Sequence, residues 1–225
     1  MGSDDLYNKR KVERQRRVSK KINERAETWL VVCEGEKTEP NYFKRLFEYA
    51  NSKSDRKIKF YIDGEGRNTE SLVNSIDNYF GYCDNLVKNR DIPYGKIFAV
   101  FDKDSFKKGQ FNNAIHTAIK RGYIPIWSNE CIELWFLLHF DYMNTNITRD
   151  RYYEILSDKF SAKYKKPDEH FDMLDSEKKL GTAIRNAKKL YCQFEDEPSF
   201  AKRAPCTTVF VLIEELEKYL GIKLT

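Results

Sequence analysis

No stretch of this chain approaches the ~20 consecutive apolar residues that a bilayer-spanning helix requires. The longest apolar runs, Trp29 to Cys33 among them, are strand-sized. The first residues are charged and contain no apolar h-region, so a secretory signal is not expected. Cys33, Cys83, Cys131, Cys192 and Cys206 are odd in number and widely spread, with no CxxC and no Cys/His cluster of zinc spacing. Reduced thiols and a cytoplasmic location are therefore expected. Histidine is scarce as well: His139 lies in a Leu-rich segment and reads as packed core, while His116 and His170 carry no signal. No catalytic triad or covalent nucleophile stands out. Gly64-Glu65-Gly66 lacks the third glycine and the correctly placed acid of a dinucleotide fingerprint, and reads as a loop beside an active edge. Fourteen tyrosines offer candidates for topoisomerase chemistry, but 225 residues leave no room for a strand-passage apparatus.

What is present suffices for a packed core: 40% hydrophobic and 14% aromatic residues argue against disorder. The formal charge of +5 is modest, so its distribution matters more than its size. Nine Lys/Arg fall between Lys9 and Arg25 against only Glu13 and Glu24. Residues 1–27 thus form a basic arm that cannot bury a face by itself. It reads either as a solvated, frayed helix or as a phosphate-seeking arm carrying Arg10, Arg14 and Arg17.

From Thr28 the pattern alternates. Thr28–Cys33 (TWLVVC) reads as a strand buried on both faces and ends in Glu34-Gly35. Pro40 opens a helix lined by Tyr42, Phe43, Leu46, Phe47 and Ala50. Lys57–Ile62 predicts a second strand, Lys96–Phe101 a third that stops at Asp102, and Tyr123–Trp127 a fourth, with helices between and after them. Such alternation implies parallel pairing through right-handed crossovers. The expectation is an α/β domain over 28–142, with a four-stranded parallel sheet flanked by helices. A mainly helical region over 143–225 packs on it, with helices near 148–159, 175–193 and 206–220.

Open α/β sheets bind ligands beyond the carboxyl ends of their strands, where strand order reverses. Glu34 follows the first strand, and Asp102 and Asp104 follow the third. In the common order 2-1-3-4 these strands are neighbours, and their acids meet at the switch point. Close carboxylates repel, and a hard divalent cation relieves the repulsion. The bland alternative is that these acids serve turns and helix caps.

Val31–Gly35 (VVCEG) followed by Phe101–Asp104 (FDKD) resembles the Toprim signature of topoisomerases, primases and related nucleases. More narrowly, Cys33–Phe43 (CEGEKTEPNYF), Val100–Ser105 (VFDKDS), Ser128–Phe140 (SNECIELWFLLHF) and Thr182–Ala187 resemble the RloB-like family of bacterial restriction and phage-defence loci. The resemblance runs from about Lys9 to the Cys206–Leu216 segment, departing at Glu130, where the family favours Pro, and at Pro205-Cys206, where it favours Pro-Ser. It implies a Toprim-like fold, Glu34 as general base or metal ligand, and Asp102 and Asp104 as ligands of Mg²⁺ (or Mn²⁺). Glu133 is the candidate for a second metal, against a helix-dipole role near an N-terminus. Glu36 reads as surface charge. Lys37 and Lys103 could contact the scissile phosphate, or be merely solvated.

The 178–191 helix has Leu180, Ile184, Ala187 and Tyr191 on one side and Lys178, Arg185 and Lys189 on the other. Its basic face could widen a nucleic-acid track together with Lys163, Lys165, Lys166, Lys202 and Arg203. The leading expectation is a metal-dependent nuclease of anti-phage defence acting on RNA, transfer RNA included, or on DNA. The resemblance further implies an ATPase partner encoded nearby; nothing suggests a membrane partner, and the oligomeric state is open. Two alternatives remain: a non-catalytic nucleic-acid or ATPase-binding module with a degenerate site, and a haloacid-dehalogenase-like phosphatase. In the latter, Asp102 would be the nucleophile and Asp104 the acid/base.

Overall fold

All six residues of β1 (Thr28–Cys33) are buried, as a strand covered on both faces requires. The computed structural model describes residues 28–66, 69–80, 94–104, 107–166, 170–174 and 176–224. After β1 come α1 (Thr38–Ser52), β2 (Lys59–Gly64), α2 (Thr69–Ser75), β3 (Lys96–Asp102), α3 (Lys108–Lys120) and β4 (Ile124–Asn129). They are followed by α4 (Glu133–Leu137), α5 (Arg149–Phe160), α6 (His170–Met173), α7 (Ser176–Cys192), β5 (Cys206–Thr207) and α8 (Val209–Leu220).

The sheet order is β2-β1-β3-β4-β5. The first four strands pair in parallel, so they carry the expected order 2-1-3-4. β5 adds a fifth strand, antiparallel to β4, with Ser128 opposite Thr207 and Asn129 opposite Cys206. The spacing predicts a helix from about residue 206; the helix starts instead at Val209. Thr207 and Thr208 hold the chain to β4: the Trp127 N–H donates to Thr208 Oγ1 at 2.8 Å, and the Ser128 and Thr207 hydroxyls pair at 2.9 Å. Hydroxyls that can bond a neighbouring strand compete with helix formation.

Strand alternation divides the interior into two layers. Trp29, Val31, Cys33, Phe98 and Val100 face a core built with α1, α4, α5, α7 and α8. Leu30, Val32, Ile97, Ala99 and Phe101 face a smaller core built with α2 and α3. Asp102 continues the Phe98–Val100 series, so the end of β3 directs its acid toward the larger layer. Among the described residues, no helix is long and apolar enough to cross a membrane.

Candidate functional site

The site begins where β1 and β3 end. The Glu34 N–H donates to the Val100 carbonyl at 2.9 Å, tying the residue after β1 to β3. In return the Asp102 N–H donates to Glu34 Oε2 at 3.2 Å. The chain then turns through Gly35, where an added Cβ would lie 2.0 Å from Glu39 Oε2. That bare glycine lets the first turn of α1 lay Glu39, only 7% exposed, against the same edge. From the other side Gly64, at the end of β2, abuts the Gly35 carbonyl and the Glu36 backbone. The 64–66 loop therefore does sit beside this edge.

The end of β3 supplies two more carboxylates. Asp102 Oδ2 accepts the Ile132 N–H at 3.2 Å and lies 3.6 Å from Nη2 of Arg149, the first residue of α5. Asp104 has a left-handed backbone (φ 39°), which Asp tolerates better than most residues. Its Oδ2 accepts from Arg149 Nη1 at 2.8 Å. Between these acids, the Lys103 amine turns to the Asp104 carbonyl at 2.8 Å.

Glu133 opens α4 and is 1% exposed. Its Oε1 accepts the Tyr164 hydroxyl at 2.8 Å, whereas Oε2 is buried with no hydrogen-bond partner. An unsatisfied buried acceptor costs about 1–3 kcal/mol, more when charged, so it invites an explanation.

Electrostatics binds these groups into one cluster. Burial pushes the Asp102 carboxyl well above the usual carboxylate range, and the charges of Glu39, Glu133 and Glu34 push it further, with Arg149 opposing. Burial also raises Glu39, aided by Glu133 and opposed by Lys166 and Arg149. Cys131, beside the cluster, is raised by burial and then by Glu133 and Asp102. Burial alone would lower Arg149, but Asp102, Cys131, Asp104 and Glu133 outweigh it and raise the guanidinium. Burial likewise works against the Lys166 ammonium, and Glu133 with Tyr153 more than offsets it.

Glu34, Asp102, Asp104 and Glu133 thus gather around one strand edge. Lys37 sits exposed in the turn before α1 and caps nothing with its side chain. Lys165 is exposed on the loop after α5, and the next carbonyl, that of Lys166, accepts the Thr38 hydroxyl at 2.7 Å. On exposed positions of α7, Arg185 bonds Thr182 Oγ1 at 3.2 Å and the Lys189 ammonium lies 4.1 Å from the Tyr142 ring centroid. Arg10, Arg14 and Arg17 lie outside the described residues.

Glu39, Arg149 and Tyr164 join the site without being among the residues that the sequence singles out. A signal existed for two of them. Glu39 precedes Tyr42, Phe43 and Leu46 at three, four and seven residues, and Arg149 precedes Tyr152 and Leu156 at three and seven. A charge on an apolar helical stripe is an anomaly that burial alone does not explain. Tyr164 lies in a loop and carries no periodic signal.

Among the described residues, no group of three or more His, Cys, Asp or Glu side chains is arranged to hold a metal ion. The chemistry of the donors nonetheless fits a hard divalent cation: all are carboxylate oxygens, and one of them, Glu133 Oε2, is buried and unpartnered.

These features define the class: an α/β protein whose central strands deliver acids to a partly buried, mutually repelling cluster at the switch point. The family model described as RloB-like protein matches residues 29–216, most of the chain, and the chain belongs to the RloB-like family. No curated protein and no solved structure was found to match. The matched region contains every acid of the cluster together with Arg149, Tyr164 and Lys166, and it begins after the basic arm.

Proposed function

We propose that this protein is a Toprim-type, Mg²⁺- or Mn²⁺-dependent nuclease that hydrolyses phosphodiesters of RNA, transfer RNA included, or DNA in anti-phage defence. The observation carrying this reading is the unpartnered, buried Glu133 Oε2 beside carboxyls of Asp102 and Glu39 whose ionised forms are disfavoured. Glu34, Asp102 and Glu133, with Glu39 beside them, would hold the cation, and Asp104 would stand at the rim. Once bound, such a cation supplies charge neutralisation at the phosphoryl oxygens and a water of lowered pKa.

The chain's own residues do the rest. Tyr164 orients Glu133 through its hydroxyl. The Asp102 N–H fixes the orientation of the Glu34 carboxylate. Basic groups at Lys165, Lys166, Arg185 and Lys189, with the N-terminal arm, position the phosphate backbone without reading sequence. A nearby ATPase would serve as the activating partner.

A second reading is a non-catalytic nucleic-acid module, favoured by one observation: Arg149 already neutralises Asp102 and Asp104. The deciding experiment incubates the protein with total transfer RNA, plasmid and single-stranded DNA. Mg²⁺, Mn²⁺ or chelator is supplied, with and without the neighbouring ATPase. The nuclease reading expects metal-dependent cleavage that Asp102→Asn abolishes. Binding without cleavage under every condition leaves the non-catalytic module.

A further inference from the structure

Glu34, Glu39, Asp102, Asp104 and Glu133 converge on a site where, among the described residues, Arg149 pairs directly with Asp102 and Asp104. Asp102 Oδ2 already faces the Ile132 N–H and the Arg149 guanidinium. Any further cation bound to that oxygen must contend with Arg149, because like charges at such separations repel strongly away from bulk water. Arg149 is 26% exposed at its side chain, so its head has a way out toward solvent.

Two polar atoms of the site are buried with no partner, and they have opposite character. Glu133 Oε2 is an acceptor; Arg149 Nε is a donor. A lone cation would satisfy the first only, and a lone anion the second only. A phosphate by itself is repelled by the surrounding carboxylates. A divalent cation carrying a phosphate satisfies both atoms and balances the charge. The guanidinium fork suits that partner, since it matches phosphate oxygens in a bidentate manner. Lys103 is less suited to the task, its amine being spent on the Asp104 carbonyl.

We infer that Arg149 is a displaceable internal counterion: it neutralises Asp102 and Asp104 until a divalent cation takes the Asp102 oxygen, and the guanidinium released from that oxygen then holds the phosphate that accompanies the cation. The inference rests on the metal reading proposed above and adds to it an order of events. Metal and phosphate must bind with positive coupling, carried by one side chain. Coupling between two ligands of one protein is reciprocal, so it can be read from the metal side alone.

The test titrates the full-length protein with Mn²⁺ by calorimetry, with and without inorganic phosphate. The wild type is compared with Arg149→Gln and Arg149→Lys, each checked for folding by circular dichroism. Without phosphate, Arg149→Gln should bind Mn²⁺ about tenfold more tightly than the wild type, because the competing charge is gone. Phosphate should tighten Mn²⁺ binding by roughly fivefold or more in the wild type and have no such effect in Arg149→Gln. Arg149→Lys, which keeps the charge and loses the fork, should fall between. If Arg149→Gln does not fold, the Lys variant decides, and wild-type behaviour in it overturns the inference. Equal Mn²⁺ affinity in wild type and Arg149→Gln, or phosphate coupling retained in the latter, overturns it while leaving the metal reading intact. Absence of Mn²⁺ binding in all three proteins overturns both.

Discussion

The main-chain N–H of Asp102 donates to the Glu34 carboxylate at 3.2 Å, joining residues separated by 68 positions in the chain. The contact exists because β1 and β3 are parallel neighbours in register, with Cys33 opposite Val100. One residue beyond that pair, the first acid can reach over the end of the neighbouring strand. Everything else in the site is assembled around this crossing.

Glu133→Gln should separate stability from function. Glutamine still accepts the Tyr164 hydroxyl while removing a charge that repels Asp102 and Glu39. Because both carboxyls are raised in the fold, the native state holds protons that the unfolded chain releases. Stability should therefore fall as pH rises from the ordinary carboxylate range, about 4, through the raised values. In Glu133→Gln that decline should be shallower, and the variant should melt roughly 2–4 °C higher at neutral pH, equivalent to about 1 kcal/mol. Cleavage should disappear. Thermal melts across pH, paired with a nuclease assay, check all three outcomes.

His139 should act in the opposite sense. Burial lowers its pKa to about 4; hydrogen bonds of the ring to backbone carbonyls of the preceding helical turn oppose this, and the Lys179 charge adds to the lowering. The unfolded chain takes up a proton near pH 6.5, the folded chain only near 4. Stability contributed by neutral His139 is thus present above pH 6.5 and lost as pH falls toward 4. Imidazole NMR shifts should show His139 neutral at pH 5.5, and a protonated ring there would contradict its packing against Trp135.

Two glycines should respond oppositely to alanine. At Gly64 a Cβ would lie 2.4 Å from the Gly35 carbonyl and 2.7 Å from Glu36 Cα, main-chain atoms that cannot step aside. Gly64→Ala should cost about 1–3 kcal/mol and disturb the turn that carries Glu34. Gly109 lies in the first turn of α3, and its Cβ would meet nothing within 4 Å. Gly109→Ala should stabilise by about 0.5–1 kcal/mol, because the unfolded chain loses freedom that the helix does not need. Urea denaturation of both variants measures the contrast; a stabilised Gly64→Ala would refute the close approach of β2 to the 34–36 turn.

Deleting residues 1–25 tests the basic arm. If its cations track a phosphate backbone, nucleic-acid affinity should fall, and each lost contact should remove roughly one unit from the salt-dependence slope. Cleavage at saturating substrate should persist, since every acid of the site lies downstream. Fluorescence anisotropy of truncated and full-length protein over a salt series reads the affinity and the slope, and unchanged affinity and slope would refute the electrostatic role of the arm.

Much of this architecture was determined by local patterning. The run TWLVVC reads as a doubly covered strand, and KIFAVFD as another that stops on an acid; both are strands in the fold. Side-chain alternation every two residues in strands, and recurrence every 3.6 in helices, are properties of the backbone that short segments carry with them. Glu34 and Asp102 could be singled out because an acid ending an apolar strand is visible within a few residues.

The tertiary structure alone decided the rest. β5 is two residues long and owes its existence to the edge of β4, a partner almost 80 positions away. Glu39 and Arg149 stood in the sequence as charges on apolar stripes, a local oddity without a meaning. Their meaning depends on which layer each stripe faces. α1 and α5 both pack in the larger layer, toward which Asp102 also points, and so the acid of one and the base of the other meet over the same strand end. Periodicity assigns a residue to a face; only the packing of whole faces, driven by apolar burial across the entire chain, chooses what that face will meet.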